Sequence, residues 1–386
     1  MNTDELIYLD YQASTPLCAA AKNAMLPFLD GNFSNPHSAQ HIGGMQATSH
    51  IEIARHQVAA LIGSDPNEII FTSGATEASN LALLGIRHTA GNRKRVLIGS
   101  TEHKCVIEPA NYLNDLGFSV EHIPVDTTGT IDLATYEMML SDDVALVSIM
   151  MANNETGSIQ AISHCAKLAK KVGAIFHTDA AQAPISMDIT VEELGVDLLS
   201  LSSHKMYGPK GIGALYVSKE TIHCVTPLIR GGGQEQGLRS GTLPTLLCVG
   251  FGEAAKYLFS NTKTLRAKIL HSRNLFWEMI GNKVSQVSLL GQPLEARHIG
   301  NLCLTFEGVS GDELLGMLAS QVAASTGSAC TSGMTHHSHV LSAMNLSKDK
   351  MEGAVRFSFG PDIPNESLAK AVDEISKAVK ILRQNQ

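Results

Sequence analysis

The sequence predicts an α/β protein in two parts: a large domain built on a mainly parallel, seven-stranded sheet, and a smaller α+β domain. Three observations carry this expectation. Short β-rich runs alternate with helical patterns from about residue 65 to 220, the signature of βαβ units. The polar clusters fall just past the ends of those runs, as expected of a mainly parallel sheet covered on both faces. Beyond about residue 260 the order changes to one long helical pattern, isolated strands and a final helix.

Taken in order, residues 69–72 read as a strand and 75–88 as a helix, followed by a strand at 96–100 and a helix at 108–116. Strands at 119–125, 144–150, 175–179, 197–202 and 213–217 follow, with helices at 133–140 and 162–172 between them. The later region gives a helix at 264–280, strands at 301–306 and 354–359, and a helix at 366–382. The large domain is assigned to residues 15–260, and the small one to 1–14 together with 261–386. In parallel sheets, ligands collect beyond the carboxyl ends of strands. The polar clusters of this sequence fall there.

Composition narrows the function classes. With 386 residues, 44% of them hydrophobic and 17% charged, the chain can bury a sizeable core, and its net charge of −8 carries no footprint for nucleic-acid or anionic-membrane binding. The acidic start MNTDELIYLD lacks the basic, apolar signature of a signal peptide, and the apolar stretch 144–151 is interrupted by Ser148 and too short for a bilayer. A cytoplasmic location is expected. Seven cysteines, odd in number and never in a C-x-x-C pair, argue against a disulfide framework and a thiolate zinc site.

Five clusters carry the chemistry. Ser202-Ser203-His204-Lys205-Met206-Tyr207-Gly208 follows an apolar run, where a desolvated lysine is freed for Schiff-base chemistry; a solvated surface lysine is the plainer alternative. His177-Thr178-Asp179-Ala180-Ala181-Gln182 ends another strand and offers a carboxylate for a ring nitrogen, or simply a turn cap. Ser73-Gly74-Ala75-Thr76 leads from strand into helix and suits a phosphate, although Ser73 or Thr76 could equally cap the helix. It matches neither a Walker nor a dinucleotide fingerprint. His103, after the strand at 96–100, can stack on a flat ring or relay protons, or serve as a structural hydrogen-bonder. Cys330 lies in Ser325-Thr326-Gly327-Ser328-Ala329-Cys330, a small polar stretch that predicts an exposed loop and a reactive thiolate.

Together these segments resemble the cysteine desulfurases, which are pyridoxal-phosphate enzymes of fold type I, and specifically the subgroup with a long cysteine-bearing loop. Tyr8-Leu9-Asp10, Asn153-Asn154-Glu155-Thr156-Gly157, residues 231–242 and Arg356-Phe357-Ser358 extend the match over nearly the whole chain, in the family's order. The resemblance implies that Lys205 carries the cofactor, Asp179 holds its ring nitrogen, His103 stacks on the ring and Gln182 reaches its phenolic oxygen. Ala75, Thr76, Ser202 and His204 would bind the phosphate, and Thr242 would reach the phosphate of a neighbouring subunit, implying a homodimer. Asn154 and Arg356 would clamp the carboxylate of L-cysteine; the guanidinium fork suits that task, with an ordinary salt bridge as the alternative. Cys330 would take the sulfur as a persulfide, alanine would leave, and an acceptor protein would receive the sulfur.

Iron–sulfur assembly, tRNA thiolation and DNA sulfur modification are the candidate destinations. The chain ends soon after Arg356, whereas relatives that feed an iron–sulfur scaffold often carry a longer docking tail. Thr335-His336-His337-Ser338-His339 has no carboxylate or cysteine pair beside it and is expected to be a solvated loop rather than a metal site. The competing readings are a selenocysteine lyase or another fold-type-I enzyme, which would not need Cys330, and a non-catalytic subunit on the same fold.

Overall fold

Apolar β-branched runs become strands here because the sheet is buried on both faces. The computed structural model describes residues 6–88, 90–327 and 338–385. From the N-terminus, a short β1 (Ile7–Tyr8) precedes β2 (Ile69–Thr72), β3 (Arg95–Gly99), β4 (Ser119–Ile123), β5 (Val144–Ser148), β6 (Ile175–Asp179), β7 (Leu198–Ser202) and β8 (Gly213–Val217). The small sheets add β9 (Val287–Leu290), β10 (Asn301–Phe306), β11 (Val322–Ala323) and β12 (Ala354–Ser358). The large sheet runs β2-β8-β7-β6-β5-β3-β4, and β8 alone is antiparallel to its neighbours. Every residue of β2, β5, β7 and β8 is buried. The seven expected strands are all present, with ends shifted by no more than two residues.

Two helices differ from expectation. The one expected at 108–116 begins earlier and spans Lys104–Asp115, with Pro109 inside it. Its start is set by His103, whose Nδ1 accepts the Cys105 N–H at 3.1 Å. The helix expected at 264–280 is part of a 39-residue helix, Thr245–Lys283, which packs along Ile42–Ile62 and Ala19–Met25. It passes without interruption through residue 260, so the assigned boundary lies inside a continuous element. No helix among the described residues is long and apolar enough to cross a membrane.

The antiparallel sheet β12-β10-β9 packs on the far end of this helix, with the last helix, Asn365–Gln384, alongside. Phe276 is fully buried, its ring 5.1 Å from Phe357 and 5.2 Å from Phe359, centroid to centroid. The first residues join this part: β1 pairs in parallel with β11, and the Ser358 N–H donates to Leu9 O at 2.8 Å. Phe276→Ala should therefore open a cavity between helix and sheet, costing about 3–5 kcal/mol. A thermal unfolding midpoint equal to that of the parent protein would contradict this packing.

Candidate active site

Four parallel strands of the large sheet and the residues beyond their carboxyl ends converge, with the turn after β2, on one cavity of about 690 Å³. Beyond β2, Gly74 adopts φ 154°, ψ 179° and starts the helix Ala75–Gly85 with no side-chain cap. Neither Ser73 nor Thr76 caps it, so its first N–H donors are open to an anion. A Cβ at Gly213 would come within 2.7 Å of Gly74 Cα, so glycine is what lets β8 approach this turn closely. Ala75, Thr76, Ser202 and His204 all line the same cavity.

Beyond β3 stands His103. Its Nδ1 accepts a backbone N–H, which puts the proton of the neutral ring on Nε2. Burial pushes its pKa down, helped by the Lys205, His339 and Lys104 charges and opposed by Asp179, so the ring is neutral at physiological pH. Glu102, one residue earlier, is fully buried, with Oε1 accepting the Met150 N–H at 2.6 Å and Oε2 unpartnered. Burial raises its pKa well above the carboxylate range, which keeps it protonated.

Asp179 is the last residue of β6. Its Oδ1 accepts the Ala181 N–H at 2.9 Å, so the turn-cap role read from sequence is present, while Oδ2 lies 3.4 Å from Cys105 Sγ and the carboxylate faces the cavity. Behind it, His177 links Ser148 Oγ (2.8 Å) to Ser200 Oγ (2.9 Å), its pKa lowered by burial to about 4. Gln182 lines the cavity and donates from Nε2 to Gln12 O at 2.9 Å.

Lys205 ends the short turn Ser203–Lys205 after β7. Its Nζ donates to Gln12 O at 2.6 Å and Ala13 O at 2.8 Å, at the cavity wall. Next to it, His204 is held neutral by burial and by the Lys205 and Lys210 charges, its pKa lowered to about 4.

On the opposite wall, Arg356 of β12 donates to Asn154 O at 2.8 Å and pairs with Asp10 Oδ1 at 2.6 Å. The salt bridge that sequence offered as an alternative is therefore formed. Yet Nε, buried beside the cavity, has no partner. Asn154 is presented by a turn in which Asn153 Oδ1 accepts the Glu155 and Thr156 N–H groups, each at 2.9 Å.

Cys330, His336 and His337 lie outside the described residues. Thr326 and Gly327, on one side of that segment, line the cavity. On the other side Ser338 donates to Glu155 Oε2, and a Cβ at Gly327 would collide with the same oxygen. His339 opens the helix His339–Ala343, where a loop was expected; it is exposed and donates from Nε2 to Glu102 O at 2.8 Å. Among the described residues no cluster of metal-ligating side chains occurs. Thr242 is exposed and away from this cavity. Sequence reasoning assigned no role to Asp10, Gln12, Cys105 or Lys210, which also line the site. Cys105 had a local signal, being two residues from His103, but Asp10 and Gln12 reach the site only through tertiary packing.

Three comparisons bear on this arrangement. A family model described as aminotransferase class-V matches residues 7–370. Cysteine desulfurase IscS of Rickettsia felis is 42% identical over 379 residues, covering 98% of this chain and 92% of the relative; that of Rickettsia bellii is 42% identical over 378 residues with the same coverage. Among solved structures, a "NifS-like protein" superposes with a TM-score of 0.90 at 33% identity over 97% of this chain and 100% of its own. "SspA in complex with cysteine" gives 0.82 at 36% identity, over 92% and 99%.

Glu155 supplies a pH test. Burial raises its pKa from 4.5 to about 7, against the opposing Ser338 hydrogen bond and Arg356 charge. The folded state thus holds this proton more tightly than the unfolded chain. The stability it confers is complete below the unfolded value and is lost as pH rises through about 7. Glu155→Gln keeps an acceptor for Ser338 and should abolish that decline; parallel stability curves for parent and variant across neutral pH would refute it.

Proposed function

The chain belongs to the class-V aminotransferase family and is a cysteine desulfurase, and we propose that it frees sulfur from L-cysteine using Lys205, Asp179, His103, Arg356 and Cys330. The observation that carries this assignment of residues is the meeting of the Lys205 amine, the Asp179 carboxylate and an uncapped helix N-terminus around one cavity. The donor set fits pyridoxal phosphate, the cofactor of the family. There are open N–H groups for a phosphate, a carboxylate for the ring nitrogen, a lysine for the aldehyde, and the Arg356 side chain at the cavity wall for a substrate carboxylate. When bound, that cofactor supplies an aldehyde for the substrate amine and a ring that draws off electrons released at Cα.

Each residue then has a task. Ala75, Thr76, Ser202 and His204 hold the phosphate, with His204 neutral and so an acceptor or a single donor. Asp179 keeps a proton on the ring nitrogen, and its rigid turn and the Cys105 thiol fix the carboxylate. Gln182 lies at the other edge of the ring, where its amide would turn from Gln12 O towards the phenolic oxygen. Lys205, whose amine would hold the aldehyde, would also be the base placed to take the proton from Cα once free. Neutral His103 stacks on the ring and accepts the proton of the substrate thiol. Arg356, pre-oriented by Asp10 and Asn154 O, clamps the substrate carboxylate together with Asn154.

The Cys330 thiolate attacks the substrate sulfur. A sulfur–sulfur bond forms, the Cβ–S bond breaks with its electron pair left on the three-carbon fragment, and protonation of that fragment releases L-alanine. Cys330 retains a persulfide for an acceptor protein. Thr242, exposed on this subunit, completes the phosphate site of a second copy, which makes the active form a homodimer. A cytoplasmic location agrees with cysteines that form no disulfide among the described residues.

Borohydride reduction of the loaded protein followed by peptide mapping should mark Lys205; a mark on another lysine sinks the assignment. Cys330→Ala should keep the cofactor's colour and lose sulfide release from L-cysteine, and undiminished release would remove Cys330 from the reaction. Arg356→Gln gives up charge-assisted hydrogen bonds worth about 1.5–3 kcal/mol, so KM for L-cysteine should rise about ten- to hundredfold. An unchanged KM would locate the carboxylate elsewhere.

A further inference from the structure

Glu77 has no task in that scheme, yet its carboxylate joins three pieces of chain. It occupies the first turn of the helix Ala75–Gly85, whose open start forms the anion cradle. Oε2 accepts the Ser73 N–H at 2.7 Å, and Oε1 accepts Arg239 Nε at 2.8 Å, with Arg239 Nη2 3.4 Å from Oε2. The two side chains are only 15% and 18% exposed, which places the pair well above ordinary surface ion pairs in rigidity.

Arg239 belongs to the loop 231–242, which ends at Thr242. A second ion pair pins that loop to the same strand. Glu235 accepts the Phe71 N–H at 2.6 Å and meets Arg55 in a two-point pair at 2.7 and 2.8 Å. The backbone is held at φ 48° in Glu235 and 56° in Gln236, left-handed values that non-glycine residues adopt only where surroundings impose them. The two carboxylates thus take N–H groups from alternate residues along β2, the edge strand of the large sheet, and from the turn that continues it.

Charge gives the arrangement its consequence. A carboxylate in a first helical turn suits the helix dipole, but it also repels a phosphate bound at the same N-terminus. Arg239 removes that conflict while fastening the loop. We infer, on the reading that Thr242 of one subunit reaches the phosphate of the other, that Glu77 and Arg239 are positioning residues. Arg239 cancels the Glu77 charge beside the cradle, and the pair sets the Thr242 loop, so cofactor occupancy and subunit pairing rise and fall together.

The test uses the full-length protein, Arg239→Gln, Glu77→Gln and the double variant. Pyridoxal phosphate affinity is read by fluorescence titration, and the dimer dissociation constant by sedimentation with and without the cofactor. Arg239→Gln leaves the Glu77 charge bare and should weaken cofactor binding about tenfold, whereas Glu77→Gln should weaken it far less. The double variant should recover most of the loss, because the repulsion has gone. In Arg239→Gln and the double variant alike, the dimer should loosen about tenfold and cease to respond to the cofactor. A double variant that binds the cofactor no better than Arg239→Gln overturns the charge argument. Dimer constants that match the parent's overturn the clasp. A parent protein that is monomeric at every concentration, loaded or not, would instead defeat the homodimer reading, and the three affinities would still judge Arg239 alone.

Discussion

Residues 10–15 are the interaction on which the rest of the site depends. Asp10 takes Arg356 and Ser325 from the small-domain side. Gln12 accepts Asn301 Nδ2 at its side-chain oxygen and donates its N–H to the Ser358 hydroxyl, while its carbonyl accepts both Lys205 Nζ and Gln182 Nε2. Thr15 then closes on the loop beyond β7, donating to His204 O and accepting the Tyr207 N–H. A single stretch of N-terminal chain therefore fixes the amine on one wall of the cavity against the guanidinium on the other. A catalytic constellation held from both sides loses little entropy when substrate arrives.

Burial sets the charge state of that cavity. His103, His177 and His204 are all driven towards the neutral form, and Glu102 towards the protonated one. The common cause is the dry end of a parallel sheet with helices on both faces, where charged groups lose solvation without regaining it. The field of Lys205, Asp179 and Arg356, which line the cavity, then acts beside neutral histidines. A neutral His103 is also the form able to accept a proton, which suits the role proposed for it at the cavity wall.

Several features were legible in the chain because they are local. The seven strands of the large sheet appear as short β-rich runs between helical patterns, and β5, β7 and β8 are buried along their whole length. His103, Asp179 and Lys205 were legible because each sits at or just past the end of such a run, and parallel strands bring their carboxyl ends to one edge. The early start of the helix Lys104–Asp115 was not legible, because the His103 ring that accepts the Cys105 N–H is not one of the usual capping side chains. The helix start at His339 and its hydrogen bond to Glu102 O were hidden too, because that contact joins residues far apart in the chain.

The sequence alone determined the fold class, the alternation of strand and helix, and the residue types that could hold a phosphorylated aldehyde and an amino acid, because period, turn chemistry and spacing are written within a few positions. Only the tertiary structure decided that Gln12 O and Ala13 O receive the Lys205 amine, that Asp10 pre-orients Arg356, and that Glu77 and Glu235 share the edge of β2. These contacts join residues tens to hundreds of positions apart. Their geometry comes from the way two sheets and a 39-residue helix pack, and packing is a property of the whole chain.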